Sequence, residues 1–291
     1  MRATLKDVAR AAGVSPGAVS RVLNNTSDAR VSPATRQRIL KAARSLNYAS
    51  HAAARSLRSG HSSNLGLVLP TYLGSSIAPF YLLLMTGISE AATVRGLELS
   101  LAFCATFAKE VETLERLAHS RRVDGFLLVG PRRSDPRISY LQREGTPFVV
   151  VGRPHRQTLP SVDTDNLQAS RNLTEHLIAL GHERIAYLAE PLVWTFSLDR
   201  LEGYRQALGS HAIPVQPGLL AEASFTAASG YRAAKRLLAR HPDITAIAAC
   251  DDVLALGAIR AARESGRRVP EDVSVVGCDD FRFTEHVNPP L

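Results

Sequence analysis

Hydrophobic positions fall into two regimes along the chain. Over the first 46 residues they recur at helical spacing, punctuated by helix-start signals: Thr4 with Asp7 three residues on, a capping box with Asp in place of Glu, then Ser15-Pro16 and Ser32-Pro33. Gly13 interrupts the first of these stretches. The pattern predicts short helices over 5–12, 16–24 and 33–46. Leu5, Val8 and Ala9 of the first then face Val19, Val22 and Leu23 of the second across a turn at Gly13, the arrangement of a helix-turn-helix. From Leu65 onward short apolar runs alternate with longer helical stretches. The runs Leu65–Leu69, Leu97–Phe103, Phe126–Val129, Phe148–Val151, Ile185–Ala189, Thr245–Ala249 and Val273–Gly277 read as strands. Stretches at 79–95, 109–120, 136–144, 167–180, 199–209, 228–240 and 252–265 read as the helices between them. Such alternation predicts an α/β fold of parallel sheets covered by helices. Seven units are many for one sheet, so a crossover into a second lobe is expected near 160–166. The expected organisation is a head at 1–47, a linker at 48–64 and a two-lobed core at 65–291.

Composition narrows the classes. A hydrophobic content of 45% in 291 residues excludes disorder. No apolar run approaches the roughly 20 residues that span a bilayer, and Met1-Arg2-Ala3-Thr4-Leu5-Lys6-Asp7 does not open a signal peptide. Cys104, Cys250 and Cys278 make no CxxC pair. A reduced, soluble, cytoplasmic protein without membrane association is expected.

Charge is segregated. Residues 1–64 hold eleven of the 35 Lys and Arg and two acids, Asp7 and Asp28, for a net +9; the other 227 hold 24 basic and 25 acidic residues, for −1. A basic head points to a polyanion, either nucleic acid or an anionic membrane surface. The helix-turn-helix arrangement selects duplex DNA, because packing leaves Gly17, Ser20 and Arg21 outward and Arg can take guanine O6 and N7 together. The competing reading is a three-helix bundle with a solvated basic face.

Thr4-Leu5-Lys6-Asp7-Val8-Ala9-Arg10-Ala11-Ala12-Gly13-Val14-Ser15, then Val19-Ser20-Arg21-Val22-Leu23-Asn24, resembles the N-terminal signature of the lactose-repressor (LacI/GalR) family. The likeness continues through Val31-Ser32, Thr35-Arg36, Leu46-Asn47-Tyr48 and Ala54-Arg55-Ser56-Leu57. It implies that Pro16, Gly17 and Arg21 choose the operator, with Arg21 carrying most direct readout. Lys6, Ser15, Ser20, Asn24 and Arg30 would contact phosphates, which position without specifying. It also implies a hinge whose Leu57 wedges into the minor groove, flanked by Arg55 and Arg58; alternatively Leu57 covers the core as an ordinary helix residue. Ser50 stands where the family has Pro, so the hinge is expected to be looser or to start differently.

Further likeness lies at Asp163-Thr164-Asp165-Asn166, Arg200-Leu201-Glu202-Gly203-Tyr204, Asp251-Asp252-Val253 and Val269-Pro270-Glu271-Asp272. It implies a body like the sugar-binding periplasmic proteins, with Phe80, Tyr81, Asp165, Arg200, Phe225, Asp251 and Asp279 meeting a sugar-like effector and Trp194 and Phe196 lining the pocket. Carboxylates and Arg suit hydroxyls, and aromatic rings cover apolar sugar faces. Asp165 and Asp251 also read as plain helix N-caps. His176 and His182 read as structural, and no metal or other cofactor is called for. The sequence lacks GxGxxG after a strand, GxxxxGK[ST], GxSxG and HExxH, so no catalytic constellation is expected. The combined expectation is a homodimeric, effector-controlled repressor on a pseudo-palindromic operator; a solute-binding receptor is the alternative, and either induction or co-repression fits. Asn288-Pro289-Pro290-Leu291 matches the family where the chain would return to the first lobe. A truncated core is therefore expected, short of the family by roughly 40–50 residues on domain size, with apolar surface exposed on the first lobe.

Overall fold

The computed structural model describes residues 3–23, 31–48, 60–71, 78–155 and 158–291. The chain divides into two units, Met1–Ser63 and Asn64–Leu291.

In the first unit, α1 (Leu5–Ala12), α2 (Pro16–Leu23) and α3 (Pro33–Ser45) enclose a small core. Val8, Val19 and Ile39 are fully buried, with Ala9, Ala12, Val22, Ala42 and Ala43 around them. The start of α1 is a closed capping box: the Asp7 N–H donates to Thr4 Oγ1, and Asp7 Oδ2 accepts from the Thr4 N–H at 2.9 Å. Gly13 ends α1 at φ +65°, a left-handed conformation that a side chain would oppose, and so turns the chain into α2.

The second unit holds two parallel sheets. β1 (Asn64–Pro70), β2 (Glu98–Cys104), β3 (Gly125–Val129), β4 (Phe148–Val151) and β5 (Ser161–Val162) form the first, in the order β2-β1-β3-β4-β5. Three helices cover it: α4 (Ala78–Val94), α5 (Phe107–His119) and α6 (Pro136–Arg143). Successive side chains of a strand point to opposite faces. Thus Leu67 and Leu69 of β1 meet Leu84, Met85 and Ile88 of α4, while Val68 packs with Leu114 and Leu117 of α5 and Ile138 and Leu141 of α6. Burial on both faces explains the unbroken apolar run of β1. Leu101 and Phe103 of edge strand β2 and Leu82 and Leu83 of α4 are exposed.

The second sheet, β7-β6-β8-β9, comprises β6 (Ile185–Ala189), β7 (Leu220–Glu222), β8 (Ala246–Ala249) and β9 (Ser274–Val276). Its helices are α7 (Asn166–Ala179), α8 (Thr195–Ser210), α9 (Ala227–Arg240) and α10 (Asp252–Glu264). The centre of this core is the stacked pair Tyr187 and Tyr204, ring centroids 4.7 Å apart, with the Tyr204 hydroxyl donating to the Ile185 carbonyl. Gly203 lets α8 press on α7: a Cβ there would lie 2.1 Å from the Leu167 carbonyl oxygen. The His182 ring bridges the ends of β8 and β9, 3.0 Å from both Thr245 Oγ1 and Ser274 Oγ.

Backbone pairing and an ion pair are among the contacts that join the lobes. Arg133 donates to the Val193 carbonyl and Thr195 to that of Pro131, so 131–133 and 193–195 pair locally as antiparallel chain. Beside them, Arg153 beyond β4 makes a bidentate ion pair with Asp199 of α8.

Candidate functional site

The DNA-facing candidates are read on the head alone. Ser15 Oγ accepts from the Ala18 N–H at 3.2 Å and caps α2, and Pro16 takes its first position. Val19 and Val22 point inward, which leaves Lys6, Ser15, Pro16, Gly17 and Arg21 exposed and Ser20 half-buried. Arg21 folds back along the helix, its Nε donating to the Gly17 carbonyl at 3.3 Å. Gly17 and Arg21 therefore share one turn of the exposed face. Asn24, Arg30, Arg55 and Leu57 lie outside the described residues.

In the core unit a cavity of about 300 Å³ opens where the carboxyl ends of both sheets' strands converge. Phe80, Tyr81, Trp194, Phe196, Arg200, Phe225, Asp251 and Asp279 all line it. Asp165 does not. Its carboxylate caps α7, accepting from the Gln168 N–H at 2.9 Å, and its neighbours Asp163 and Asn166 line the cavity instead. Asp251 does both: it lines the cavity and caps α10, accepting from the Leu254 N–H.

One wall is aromatic. Trp194 stacks on Phe196 at 6.2 Å and meets Phe225 edge-on at 6.5 Å, with Phe80 and Tyr81 contributed by the first lobe. Trp194 is also held from the far side, where the Arg132 guanidinium lies between its ring and that of Phe107. The floor is ionic and centres on Arg200. Its Nε donates to Asn166 Oδ1 (2.9 Å), Nη1 to the Cys250 carbonyl, and Nη2 to Asp279 Oδ1 (3.1 Å). One guanidinium thus joins α7, the end of β8 and the segment after β9. Asp279 is held at φ +110°, strained for a residue with a side chain, and burial pushes its carboxyl up while Arg200 opposes the rise. Burial lifts Asp251 to about 6 despite the Leu254 N–H.

Glu190 was not singled out from the sequence, yet it lines the cavity at 4% exposure just past β6. An acid at the carboxyl end of a wholly apolar strand was the available signal, since that edge of a parallel sheet meets ligand. Phe281 also lines the cavity beyond the candidates chosen. Among the described residues, no three or more His, Cys, Asp or Glu side chains are grouped so as to hold a metal ion. No helix among those residues is long and apolar enough to cross a membrane.

A helix-turn-helix head followed by a two-sheet core with a ligand-sized cleft defines a class: DNA-binding regulators that carry their own small-molecule receptor. Family models agree on both parts. Residues 4–50 match bacterial regulatory proteins of the lacI family, and residues 62–287 match the periplasmic binding proteins and sugar binding domain of the LacI family. The chain is 39% identical over 294 residues to the HTH-type transcriptional regulator CelR of Thermobifida fusca, covering all of this chain and 86% of that one. Among solved structures, the CelR–cellobiose complex superposes with a TM-score of 0.74 at 38% identity, covering 100% of this chain and 86% of that one. The lac repressor dimer bound to operator and the anti-inducer ONPF gives 0.87 at 30% identity, with the same coverage. The chain belongs to the LacI family of bacterial regulatory proteins, and is a DNA-binding transcriptional regulator. Its relatives are regulators rather than enzymes. The solute receptor without a DNA function gives way, because the head matches the family as fully as the core.

Proposed function

We propose that the protein is a repressor that binds a pseudo-palindromic operator as a homodimer in the cytoplasm, and that the core cavity takes an uncharged, saccharide-like effector. In the head, Arg21 reads base edges beside Pro16 and Gly17, which admit close backbone approach, while Lys6, Ser15 and Ser20 hold phosphates. Asn24 and Arg30 extend the phosphate contacts, and Arg55 and Leu57 engage the minor groove from the hinge. A two-fold protein suits two half-sites.

The observation that carries the effector reading is the pairing of an aromatic wall with a carboxyl-rich floor on one cavity. Rings cover the apolar faces of a sugar, while the carboxyls and Arg200 meet its hydroxyls. The cellobiose held by the related CelR is the first ligand to try. Effector controls DNA only by binding the competent and incompetent states unequally, with a coupling of about 1–3 kcal/mol. The test is fluorescence anisotropy on duplex DNA from a random-library selection, at several salt concentrations, with and without cellobiose, maltose, glucose or adenosine. Affinity that falls steeply with salt and shifts at least fivefold with one saccharide supports the reading. Affinity untouched by every saccharide, or changed only by adenosine, overturns the saccharide assignment.

A further inference from the structure

We propose that Glu190 determines which effector the cavity accepts: its open carboxyl oxygen accepts a hydrogen bond from one ligand hydroxyl, so that a neutral polyol enters and its phosphorylated counterpart does not. The inference rests on the saccharide reading above and assigns a selecting residue to it.

Glu190 is buried at the cavity floor, and its Oε2 has no hydrogen-bond partner among the described residues. The nearest cation does not serve it. Arg200 Nη1 stands 3.8 Å away, beyond hydrogen-bonding distance, and that guanidinium is already engaged by Asn166, Cys250 and Asp279. The backbone is used as well, the Glu190 N–H donating to Cys250 Sγ. Buried polar atoms are almost always satisfied, and one left open beside a cavity is matched when a ligand supplies the partner.

The surroundings choose the ligand's charge. From α8 Glu190 faces Arg200; from beyond β8, Cys250 and Asp251; from beyond β9, Cys278 and Asp279; and on its own strand, Tyr187. Among the described residues, four carboxyls, those of Asp163, Glu190, Asp251 and Asp279, line the cavity against one guanidinium, that of Arg200. Burial raises the Glu190 carboxyl well above its ordinary range; Arg200 opposes this, and Asp251 and Asp279 reinforce it. The neutral acid donates to the Asp251 carboxyl, and its open Oε2 is left to accept from a sugar hydroxyl. Among the described lining residues, a phosphate would meet Asp251 and Asp279 with no uncommitted cation opposite.

Calorimetric titration at pH 7 tests this with cellobiose, maltose, their 6′-phosphates and the monodeoxy analogues of whichever sugar binds. Glu190→Gln, which keeps a donor and an acceptor, binds the sugar within threefold of the unaltered protein. Glu190→Met, similar in length without either, binds at least tenfold more weakly, yet its unliganded unfolding midpoint is equal or higher because an unmatched buried carboxyl is gone. One monodeoxy analogue loses at least tenfold against the unaltered protein and less than twofold against Glu190→Met. Should Glu190→Met not fold, Glu190→Ala takes its place in the same comparison. Sugar binding unchanged in these variants, or a 6′-phosphate bound as tightly as the neutral sugar, overturns the assignment while leaving the saccharide reading intact. No binding of either neutral sugar by the unaltered protein, with adenosine bound instead, overturns both.

Discussion

Asp251 sets the floor of the cavity at the expense of stability, and the cost can be measured. Its carboxyl titrates at about 6 in the folded protein against an ordinary 3.8, chiefly through burial. A folded value above the unfolded one means that the neutral form suits the fold. Stability from this group is fully present below about pH 4 and is lost as pH rises through 6. Two pKa units at about 1.4 kcal/mol each amount to about 3 kcal/mol lost above pH 7. Asp251→Asn keeps an oxygen for the Leu254 N–H, so the α10 cap survives, and removes the charge. The variant is therefore more stable than the unaltered protein by about 2–3 kcal/mol at pH 8, and equal to it at pH 4. On a core of this size that is roughly 5–12 °C in Tm. Trp194 makes the assay specific: it is the single tryptophan of the chain and is buried in the core unit, so its fluorescence follows core unfolding without a signal from the head. A difference that does not grow between pH 4 and pH 8, or a less stable variant at pH 8, would refute the reasoning.

Other changes are graded by mechanism. Arg137→Met removes the cation that Glu110 and Asp135 share inside the first lobe, at 2.7 Å from each, and costs about 3–5 kcal/mol in urea denaturation; a loss below 1 kcal/mol would show that the cluster contributes little. Gly203→Ala drives a methyl group into the Leu167 carbonyl and forces α8 off α7, costing about 3 kcal/mol or more by the same fluorescence, whereas an unchanged midpoint would contradict that packing. Thr4→Ala opens the capping box of α1 and costs the head about 1 kcal/mol, read by the loss of helical circular dichroism on heating; unaltered melting of the head would count against the cap.

Much of this architecture is written locally. Thr4, Asp7 and Gly13 mark both ends of α1 without reference to the rest of the protein, and Ser32-Pro33 opens α3 where expected. All seven anticipated strands are present, and burial on both faces makes the inner ones, β1, β3, β6 and β8, near-continuous apolar runs. β5 and β7 escaped notice: two and three residues long, partly exposed and at sheet edges, they carry too few positions for any pattern. The start of α8 was placed four residues late, because Trp194 precedes it without a side-chain cap and leaves no Ser or Asp to read.

The cavity was legible where the family resemblance carries a ligand contact onto a matching position: the aromatic rings after the first strand, Arg200, Asp279. It was not legible where neighbouring polar residues divide roles by geometry. Asp163, Asp165 and Asn166 are chemically alike on paper, yet only backbone direction at the α7 N-terminus decides that Asp165 turns to cap while the other two line the cleft. Glu190 is a lone acid between an apolar strand and Pro191, and its burial beside Arg200, Asp251 and Asp279 is a tertiary fact.

The claim on which the function rests is that Arg21, held on the exposed face of α2, selects the DNA sequence. Selection from a random duplex library by the full chain and by Arg21→Ala measures it directly. The account predicts that the unaltered protein enriches a two-fold symmetric site, and that Arg21→Ala loses preference at one base pair in each half-site, by about 1–3 kcal/mol, while still binding DNA. An unchanged selected sequence in Arg21→Ala, or no enrichment by the folded protein, would contradict it.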